Sequence, residues 1–338
     1  MSQFAPGSEG LLAPLKPWLD NPAVSEILIN RPGEVFIEQR GEMTYHQLPV
    51  LTARHLKHLF TLLANENQQG LNEASPMLSG NLQDGSRVQL VIPPAAKHYT
   101  LSIRRQAIVV RTLGDYAKSG FYQQVKPFYL DCGRETLQTA DDKILLALYH
   151  EQQWDEFIAQ AVQFKKNIVI AGETSSGKTT FLNACCNHIP AHERLITLED
   201  TYEVITPHRN QVNLLAPKRR DSEKGVTMQE LVQCSLRLRP DRLIMGEIRG
   251  REVLDFVSAC ATGHAGSITS IHASNPRVAF MRMTQLYKLN NVPSMRDEDI
   301  LRELHEVIDI IVQVKRLPEG RMATWVYFKE AAQTGVTP

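Results

Sequence analysis

Hydrophobic and polar positions follow different periods in the two halves of the chain. In the first half, short apolar segments predict strands, and apolar residues at helical spacing predict one helix over residues 51–64. The predicted strands are 25–30, 34–38, 76–78, 86–92 and 99–104. Several short strands beside a single helix indicate a small α+β domain.

In the second half, apolar runs alternate with helical patterns, which is typical of a mainly parallel sheet covered by helices. The predicted strands are 167–171, 194–198, 211–215, 242–245, 267–271, 307–314 and 323–328. Thr227 and Glu230 form a capping-box pattern that predicts the start of a helix, and this helix ends before Pro240. We expect a two-layer α/β core of the RecA type.

The junction between the halves contains polar residues and two short helical patterns, at 142–150 and 154–165. We therefore predict an N-terminal domain over 1–130, an interdomain linker over 131–154 and a C-terminal domain over 155–338.

Composition and charge narrow the class of protein only slightly. The 338 residues include 37 basic and 37 acidic side chains, so no overall charge favours nucleic acid, and we expect no sequence-specific nucleic-acid partner. Five cysteines without a C-x-x-C pair predict free thiols in a reducing compartment. No apolar run approaches the roughly 18 residues that span a bilayer, and no signal peptide is visible. We expect a cytoplasmic protein, with peripheral membrane attachment left open.

A phosphate-binding motif follows the predicted strand 167–171. The segment 172–180 fits G-x-x-x-x-G-K-[ST] and precedes a predicted helix over 179–187, so its backbone N–H groups can surround phosphate oxygens. Lys178 is predicted to contact the β- and γ-phosphates, and the Thr179 hydroxyl to bind Mg²⁺. The predicted binding residues are Gly172, Thr174, Ser175, Ser176, Gly177, Lys178, Thr179 and Thr180. A glycine-rich turn that binds nothing is disfavoured by the strand–loop–helix context.

Acidic residues follow two of the predicted strands. Glu247 follows strand 242–245, while Glu199 and Asp200 follow strand 194–198. Because strand ends of an α/β sheet converge on the ligand crevice, these carboxylates could orient Mg²⁺ or the attacking water. The alternative is that these acids only mark the point where the chain leaves the sheet and have no role in catalysis. Which of Glu199 and Glu247 is the base stays open.

Two histidines flank the predicted strand 267–271. His264 and His272 lie beside glycines or at a strand end, where an imidazole can donate to a γ-phosphate oxygen. A structural role in packing or helix termination is the alternative for each of them.

Arginines are concentrated around the strand that carries Glu247. Each of them would ordinarily form a surface ion pair, but arginine also stabilises charge during phosphoryl transfer, often from a neighbouring subunit. As a set, they suggest an arginine finger that one subunit contributes to its neighbour's site. The arginines are Arg237, Arg239, Arg242, Arg249 and Arg251.

Four segments together resemble the motifs of the hexameric secretion ATPases, the traffic motors of type II secretion, type IV secretion and type IV pili. Segments 172–180, 195–200, 238–247 and 263–272 resemble the Walker A motif, Asp box, Walker B motif and His box. The N-terminal half is similar in layout to the type IV secretion branch, and no tetracysteine module is found towards the C-terminus. The resemblance implies an α/β, RecA-like P-loop NTPase C-terminal domain with a smaller α+β N-terminal domain as the nucleotide lid.

The resemblance also implies roles that spacing alone does not predict. Arg87 and Arg104 would reach over the nucleotide, and Arg239 would lie near the nucleotide or a subunit interface. Ser175 stands where a glycine is common, and Ser270 where threonine is usual.

The implied function is Mg²⁺-dependent ATP hydrolysis by a homohexamer that energises substrate transport or pilus assembly. Its partners would be inner-membrane and other ATPase components of a secretion channel. Assembly or retraction of type IV pili and type II secretion are the alternatives within the class. A nucleic-acid motor is disfavoured by the neutral charge, and a non-catalytic ATP-binding switch by the presence of both acids.

Overall fold

The computed structural model describes residues 7–105, 138–216, 226–318 and 320–331. Residues 131–137 of the predicted linker lie outside these ranges. Two sheets form within the described residues, one in each half of the chain.

The first sheet contains β1 (Val24–Ile29), β2 (Glu34–Gln39), β3 (Glu42–Gln47), β4 (Met77–Asn81), β5 (Arg87–Val91) and β6 (Thr100–Arg104). Its strands are antiparallel and lie in the order β3-β2-β1-β6-β5-β4. Five of these strands match the sequence prediction to within a few residues. Strand β3 was not predicted. It follows Arg40 and Gly41, whose φ angles of 53° and 85° suit a two-residue hairpin turn, and none of its residues is buried, so its hydrophobic signal is weak.

Helices cover one face of this sheet. They are α1 (Ser8–Leu12), α2 (Lys16–Leu19) and α3 (Ala53–Glu66), with a 3₁₀ turn between the first two. The predicted helix 51–64 is confirmed as α3, which begins where the Thr52 hydroxyl accepts a bond from the His55 N–H at 3.1 Å. Its buried side chains are Leu56, Leu59, Phe60, Leu63 and Ala64, which join the core of the first sheet.

The second sheet contains β7 (Ile168–Gly172), β8 (Leu195–Glu199), β9 (Gln211–Leu215), β10 (Arg242–Ile248), β11 (Ile268–His272), β12 (Ile310–Leu317) and β13 (Gly320–Phe328). Its order is β13-β12-β7-β11-β10-β8-β9. The strands are parallel except for β13, which runs antiparallel to β12. A mainly parallel sheet is therefore confirmed.

Among the described residues, seven further α-helices surround this sheet: α4 (Ala140–His150), α5 (Trp154–Gln163), α6 (Lys178–Cys186), α7 (Met228–Ser235), α8 (Glu252–Ala261), α9 (Pro276–Lys288) and α10 (Asp297–Val307). Side chains of α4, α5 and α6 form one core with the sheet, and those of α7 to α10 form a second. The core thus has three layers rather than the two expected. Alternate residues of the strands face each helix layer, which explains their continuous apolar pattern.

The strand prediction beginning at residue 307 was wrong at its start. Val307 is the last residue of α10, and its carbonyl accepts a bond from Asn167 Nδ2 at 2.8 Å. The Asp309 carboxylate accepts from the Asn167 N–H at 2.8 Å, and pairing with β7 begins at Ile310. Two residues are therefore used to change from helix to strand.

Backbone bonds join the first half of the chain to the second sheet. The segment after β5 forms an isolated bridge between Ala96 and Leu214, and the Leu215 N–H donates to the Ala95 carbonyl at 2.8 Å. Ala95 and Ala96 are buried within the core that the second sheet shares with α7 to α10.

A fully buried arginine makes another junction between the halves. Arg194, immediately before β8, donates through Nη1 to the side-chain oxygens of Asn30 and Asn210, each at 2.6 Å. Its Nε donates to the Leu238 carbonyl at 2.8 Å. A residue that follows β1 is thus hydrogen-bonded at the base of the second sheet.

In the described ranges, the helices are all too short or too polar to cross a lipid bilayer.

Candidate nucleotide-hydrolysis site

The loop between β7 and α6 has the backbone that a phosphate-binding motif requires. A Cβ atom on Gly172 would lie 2.4 Å from Ser176 Oγ and 2.6 Å from the Val314 carbonyl oxygen, so only glycine fits there. Gly177 has a φ of 98° and precedes the first residue of α6. Ser175 has a φ of 62°, so the loop keeps a left-handed turn without glycine, at a cost of about 1 kcal/mol.

Lys178 lies across this loop. Its Nζ donates to the carbonyls of Gly172 at 3.1 Å and Glu173 at 3.2 Å. Burial lowers the pKa of Lys178, and the nearby Glu247 carboxylate counteracts part of that change. The ammonium group is therefore held at the loop by neutral acceptors, which a phosphate could replace.

Two hydroxyl groups near Lys178 have the positions expected of ligand contacts. Ser176 Oγ is buried and has no hydrogen-bond partner among the described residues. Thr179 Oγ1 donates to the carboxylate of Glu203 at 3.3 Å. The orphaned hydroxyl, the glycine-dependent loop and the helix N-terminus fit a bound phosphate chain. The remaining predicted contacts are exposed: Thr174 in the loop and Thr180 in the first turn of α6.

Glu199 is buried at the end of β8 and is occupied by backbone donors. Its Oε1 accepts from the N–H groups of Glu203 at 2.7 Å and Val204 at 2.6 Å. Burial raises the pKa of Glu199, although these two hydrogen bonds act in the opposite direction. Its carboxylate thereby fixes the segment that follows β8, including the Glu203 side chain that meets Thr179.

Glu247 lies nearer to solvent, at the end of β10, and is paired with an arginine. Arg249 Nη2 donates to Glu247 Oε2 at 2.6 Å, and Arg249 Nη1 bonds the carboxylate of Asp200. The buried Glu252 carboxylate accepts from the Arg249 N–H at 2.6 Å and from the Gly250 N–H at 2.7 Å, which fixes the backbone here. The acids that follow two strands are therefore brought together by one guanidinium.

The structure separates the two predicted histidines. His272 is exposed at the end of β11 and pairs in register with Gly172, so it lies at the phosphate loop. His264 precedes β11, and its Nδ1 lies 3.3 Å from the carbonyl of Ala259, in the last turn of α8. Because the strands are parallel, His264 lies at the opposite edge of the sheet from the loop.

The two predicted lid arginines, Arg87 and Arg104, share a cavity with Arg239, and this cavity does not include the loop of their own chain. Arg87, Arg104 and Arg239 line one cavity of about 490 Å³ between the first sheet and the segment before β10. Arg239, with a φ of 56°, donates to Glu38 Oε2 at 2.9 Å and Oε1 at 2.5 Å. Since this segment precedes β10, the cavity lies towards the edge of the second sheet opposite the phosphate loop.

Two arginine contacts at the site could hardly be predicted from the sequence. The sequence marks Arg249 only as one of a run of arginines, although it comes directly after β10 and two residues after Glu247. Arg321, in β13, donates from Nε to the Ser175 carbonyl at 3.2 Å. No local pattern predicts that contact, because it depends on the length of the β12–β13 hairpin.

Comparison with known proteins gives the family. A family model described as type II/IV secretion system protein matches residues 134–317. The type IV secretion system protein VirB11 of Brucella suis is 40% identical over 309 residues, which cover 90% of this chain and 84% of that protein. The chain belongs to the type IV secretion traffic ATPase family.

A second relative and a solved structure agree with this assignment to the traffic ATPases. The PtlH homologue of Bordetella bronchiseptica is 36% identical over 311 residues, covering 90% of this chain and 89% of that protein. The crystal structure of the VirB11 ATPase from the Brucella suis type IV secretion system, in complex with sulphate, matches with a TM-score of 0.88 and 37% identity. The match covers 95% of this chain and 97% of that one. The predicted RecA-like fold and secretion-ATPase function are confirmed.

Proposed function

We propose that this traffic ATPase hydrolyses ATP with Mg²⁺ at loop 172–180, in a homohexamer whose sites are completed by neighbouring subunits. The hydrolysis would drive substrate transport, pilus assembly or both through a type IV secretion channel. The relatives named VirB11 and PtlH, which are type IV secretion system proteins, support this assignment. The partners would be inner-membrane and other ATPase components of the channel, reached from the cytoplasmic face.

The proposed binding step begins with the groups that already surround the loop. Lys178 would exchange its two carbonyl acceptors for the β- and γ-phosphate oxygens, and the orphaned Ser176 hydroxyl would donate to phosphate. Exchange of a neutral acceptor for a charged one strengthens the hydrogen bond, which favours the bound arrangement. When bound, Mg²⁺ would neutralise charge that develops on the phosphates.

Thr179 and Glu247 are the proposed protein ligands of Mg²⁺. In the described part of the chain, no group of three or more His, Cys, Asp or Glu residues could hold a metal ion by itself. Nucleotide-bound Mg²⁺ does not need such a group, because one or two protein oxygens complete a shell made of phosphates and water. Glu247 is the better candidate for orienting metal or water, since the carboxylate of Glu199 is occupied by two backbone donors.

The observation that supports a shared site is the position of the arginine cavity. Arg87, Arg104 and Arg239 face one cavity, yet that cavity and His264 lie away from the loop of the same chain. These groups would act on a nucleotide held by a neighbouring copy, as arginines supplied in trans do in phosphoryl transfer. The proposed domains are 1–130 as the lid, 131–154 as the linker and 155–338 as the ATPase.

Light scattering and ATP turnover on the same full-length sample would test this proposal. We expect a mass six times that of one chain with Mg-ATP, and turnover that EDTA abolishes. Lys178→Ala should remove turnover while leaving the circular dichroism spectrum unchanged. Full turnover by Lys178→Ala would contradict the site, and full turnover by a strictly monomeric protein would contradict the ring.

A further inference from the structure

Three charged residues lie side by side on neighbouring strands of the first sheet. Glu26 on β1 pairs in register with Arg104 on β6, and Arg104 pairs in register with Arg87 on β5. Like charges directly opposite each other on antiparallel strands are destabilising. Arg87 makes no ion pair with any described residue, so the row contains one carboxylate for two guanidinium groups.

The same row forms one wall of the 490 Å³ cavity, and Arg237 and Arg239 line it from the C-terminal half. Of the described residues, four arginines and one acid therefore line this space. Arg239 is balanced by Glu38 and Asp241, but the other charges exceed the available carboxylates. The cavity also contains Ser102, whose buried hydroxyl has no partner among the described residues. Surplus positive charge and an unused hydroxyl suit an anion with several oxygens.

Glu26 is an unusual counter-ion for such a cavity. Its side chain is 5% exposed, its Oε1 lies 3.6 Å from Arg104 Nε, and its buried Oε2 has no hydrogen-bond partner among the described residues. The ion pair is therefore long and leaves half of the carboxylate unsatisfied. A phosphate in the cavity would offer Arg104 a shorter, multiply bonded partner.

The groups around Glu26 bring its titration close to neutral pH. Burial is the main cause that raises the pKa of Glu26 to about 7, and the Glu38 carboxylate adds to it. Arg104, Arg239 and Arg194 act in the opposite direction. If Arg104 left the pair, less positive charge would offset the burial of the Glu26 carboxylate, and its protonated form would be favoured.

We propose that Glu26 is a proton-coupled counter-ion of Arg104: a phosphate group that enters the cavity takes Arg104 from the carboxylate, which then accepts one proton from solvent. No covalent bond changes, and the added negative charge of the phosphate is partly offset by the proton. The proposal rests on the proposed function, because the phosphate would belong to ATP held by loop 172–180 of a neighbouring copy. A free phosphate ion has the same chemistry and is distinguished by the test.

Proton uptake during binding gives a direct test. The full-length protein carrying Glu247→Gln, which we expect to slow hydrolysis, is titrated with Mg-ATP by calorimetry in two buffers of different ionisation enthalpy. At pH 8, we expect close to one more proton taken up per nucleotide than in the same protein carrying Glu26→Gln. Above pH 7, the dissociation constant should rise up to about tenfold per pH unit relative to the Glu26→Gln protein. Equal uptake by the two proteins would overturn the proposal.

Three further variants separate the explanations. Glu34→Gln is the matched control, since Glu34 is a buried acid of the same sheet that does not line the cavity, and uptake should be unchanged. Glu26→Asp should retain the uptake. Arg104→Gln changes an exposed side chain and should remove the uptake even if Glu26→Gln fails to fold.

The source of the phosphate is decided by Lys178→Ala and by pyrophosphate. Loss of the Glu26-dependent uptake with Mg-ATP in Lys178→Ala assigns the phosphate to nucleotide held by the loop. Glu26-dependent uptake with pyrophosphate alone in that variant assigns it to a free ion. Failure of the proposed function appears instead as a monomer or as turnover without Lys178. Failure of this inference appears as equal proton uptake with and without Glu26→Gln, while the protein with Glu247 intact still forms the ring and turns over ATP.

Discussion

Arg249 Nη2 donates to Glu247 Oε2 at 2.6 Å, and the same guanidinium also bonds the Asp200 carboxylate. One cation therefore occupies the carboxylate that we assign to Mg²⁺ or to the attacking water. The bridge is half exposed, so it can be exchanged when nucleotide arrives. Arg249 and the metal are thus expected to compete for the same oxygens.

Arg249→Gln should lower the Mg²⁺ concentration that gives half-maximal ATPase activity by several-fold, because a competing charge is removed from Glu247. The measurement is turnover at saturating ATP against free Mg²⁺. Arg251→Gln is the control, since it removes an equal charge from an exposed residue two positions further on, and its Mg²⁺ curve should match that of the wild type. An unchanged curve for Arg249→Gln would contradict competition.

The two glutamates should differ in their effect on turnover. Glu247→Gln is expected to lower kcat by about 100-fold or more, as removal of a general base or metal ligand does. Glu199→Gln should lower it by less than about tenfold, because an amide oxygen can still accept from the Glu203 and Val204 N–H groups. Steady-state kinetics of both variants checks this. A larger loss in Glu199→Gln would reverse their roles.

Asn30→Ala should lower the free energy of unfolding by about 1–3 kcal/mol, because it removes an acceptor from a buried guanidinium. Arg194 is fully buried, and its Nη2 already lacks a partner among the described residues. Chemical denaturation gives the value. Asn187→Ala, at an exposed position, is the control and should change it by no more than about 0.5 kcal/mol. Equal values for the two variants would show that the Asn30 contact is not stabilising.

Asp142 should make stability depend on pH in the acidic range. Burial opposes its ionisation, but bonds from Lys166 at 2.6 Å and from Thr139 outweigh it and lower the pKa of Asp142. A lowered pKa in the folded state gives stability that is present above the unfolded value of 3.8 and is lost as the pH falls through the folded value.

Asp142→Asn is therefore expected to be less stable than the wild type at pH 7, by about 1–3 kcal/mol, and to approach it as the pH falls towards 3. Denaturant unfolding of both proteins across this range measures the difference. Asp141→Asn, in the same helical turn, provides the control, because its carboxylate makes neither of these bonds. A difference that is constant with pH would exclude the ion pair as its cause.

Local motifs explain why so much of the site could be predicted. The loop 172–180 encodes its own glycines, its lysine and its helix start, and Glu199 and Glu247 follow strands whose apolar runs are unmistakable. Because the carboxyl ends of parallel strands lie at one edge of a sheet, Glu247 lies near Lys178, and Glu199 lies at the same edge. The antiparallel strand β3 could not be predicted, because hydrophobic periodicity detects only strands with buried side chains and none of its residues is buried.

The positions that could not be predicted depend on direction or on distant parts of the chain. His264 and His272 lie at opposite ends of one strand, and only the residue at the carboxyl end of a parallel strand reaches the ligand edge. Arg239 lies before the first residue of β10, so it is at the edge of the second sheet opposite the phosphate loop. Arg321 reaches Ser175 only through the geometry of a hairpin, which no pattern near either residue reports.

Strand β8 has a consequence for how force could pass through this molecule. At one end, the preceding residue Arg194 is hydrogen-bonded to Asn30, which follows strand β1 of the first sheet. At the other end, Glu199 fixes the segment whose Glu203 side chain contacts Thr179. The strand has five residues and spans about 16 Å. A short, fully buried strand resists stretching and bending, so it would move as a rigid unit. A displacement of the N-terminal sheet would then move the segment after Glu199 at the phosphate-loop edge of the second sheet. A change at that edge during hydrolysis could likewise move the N-terminal sheet through β8.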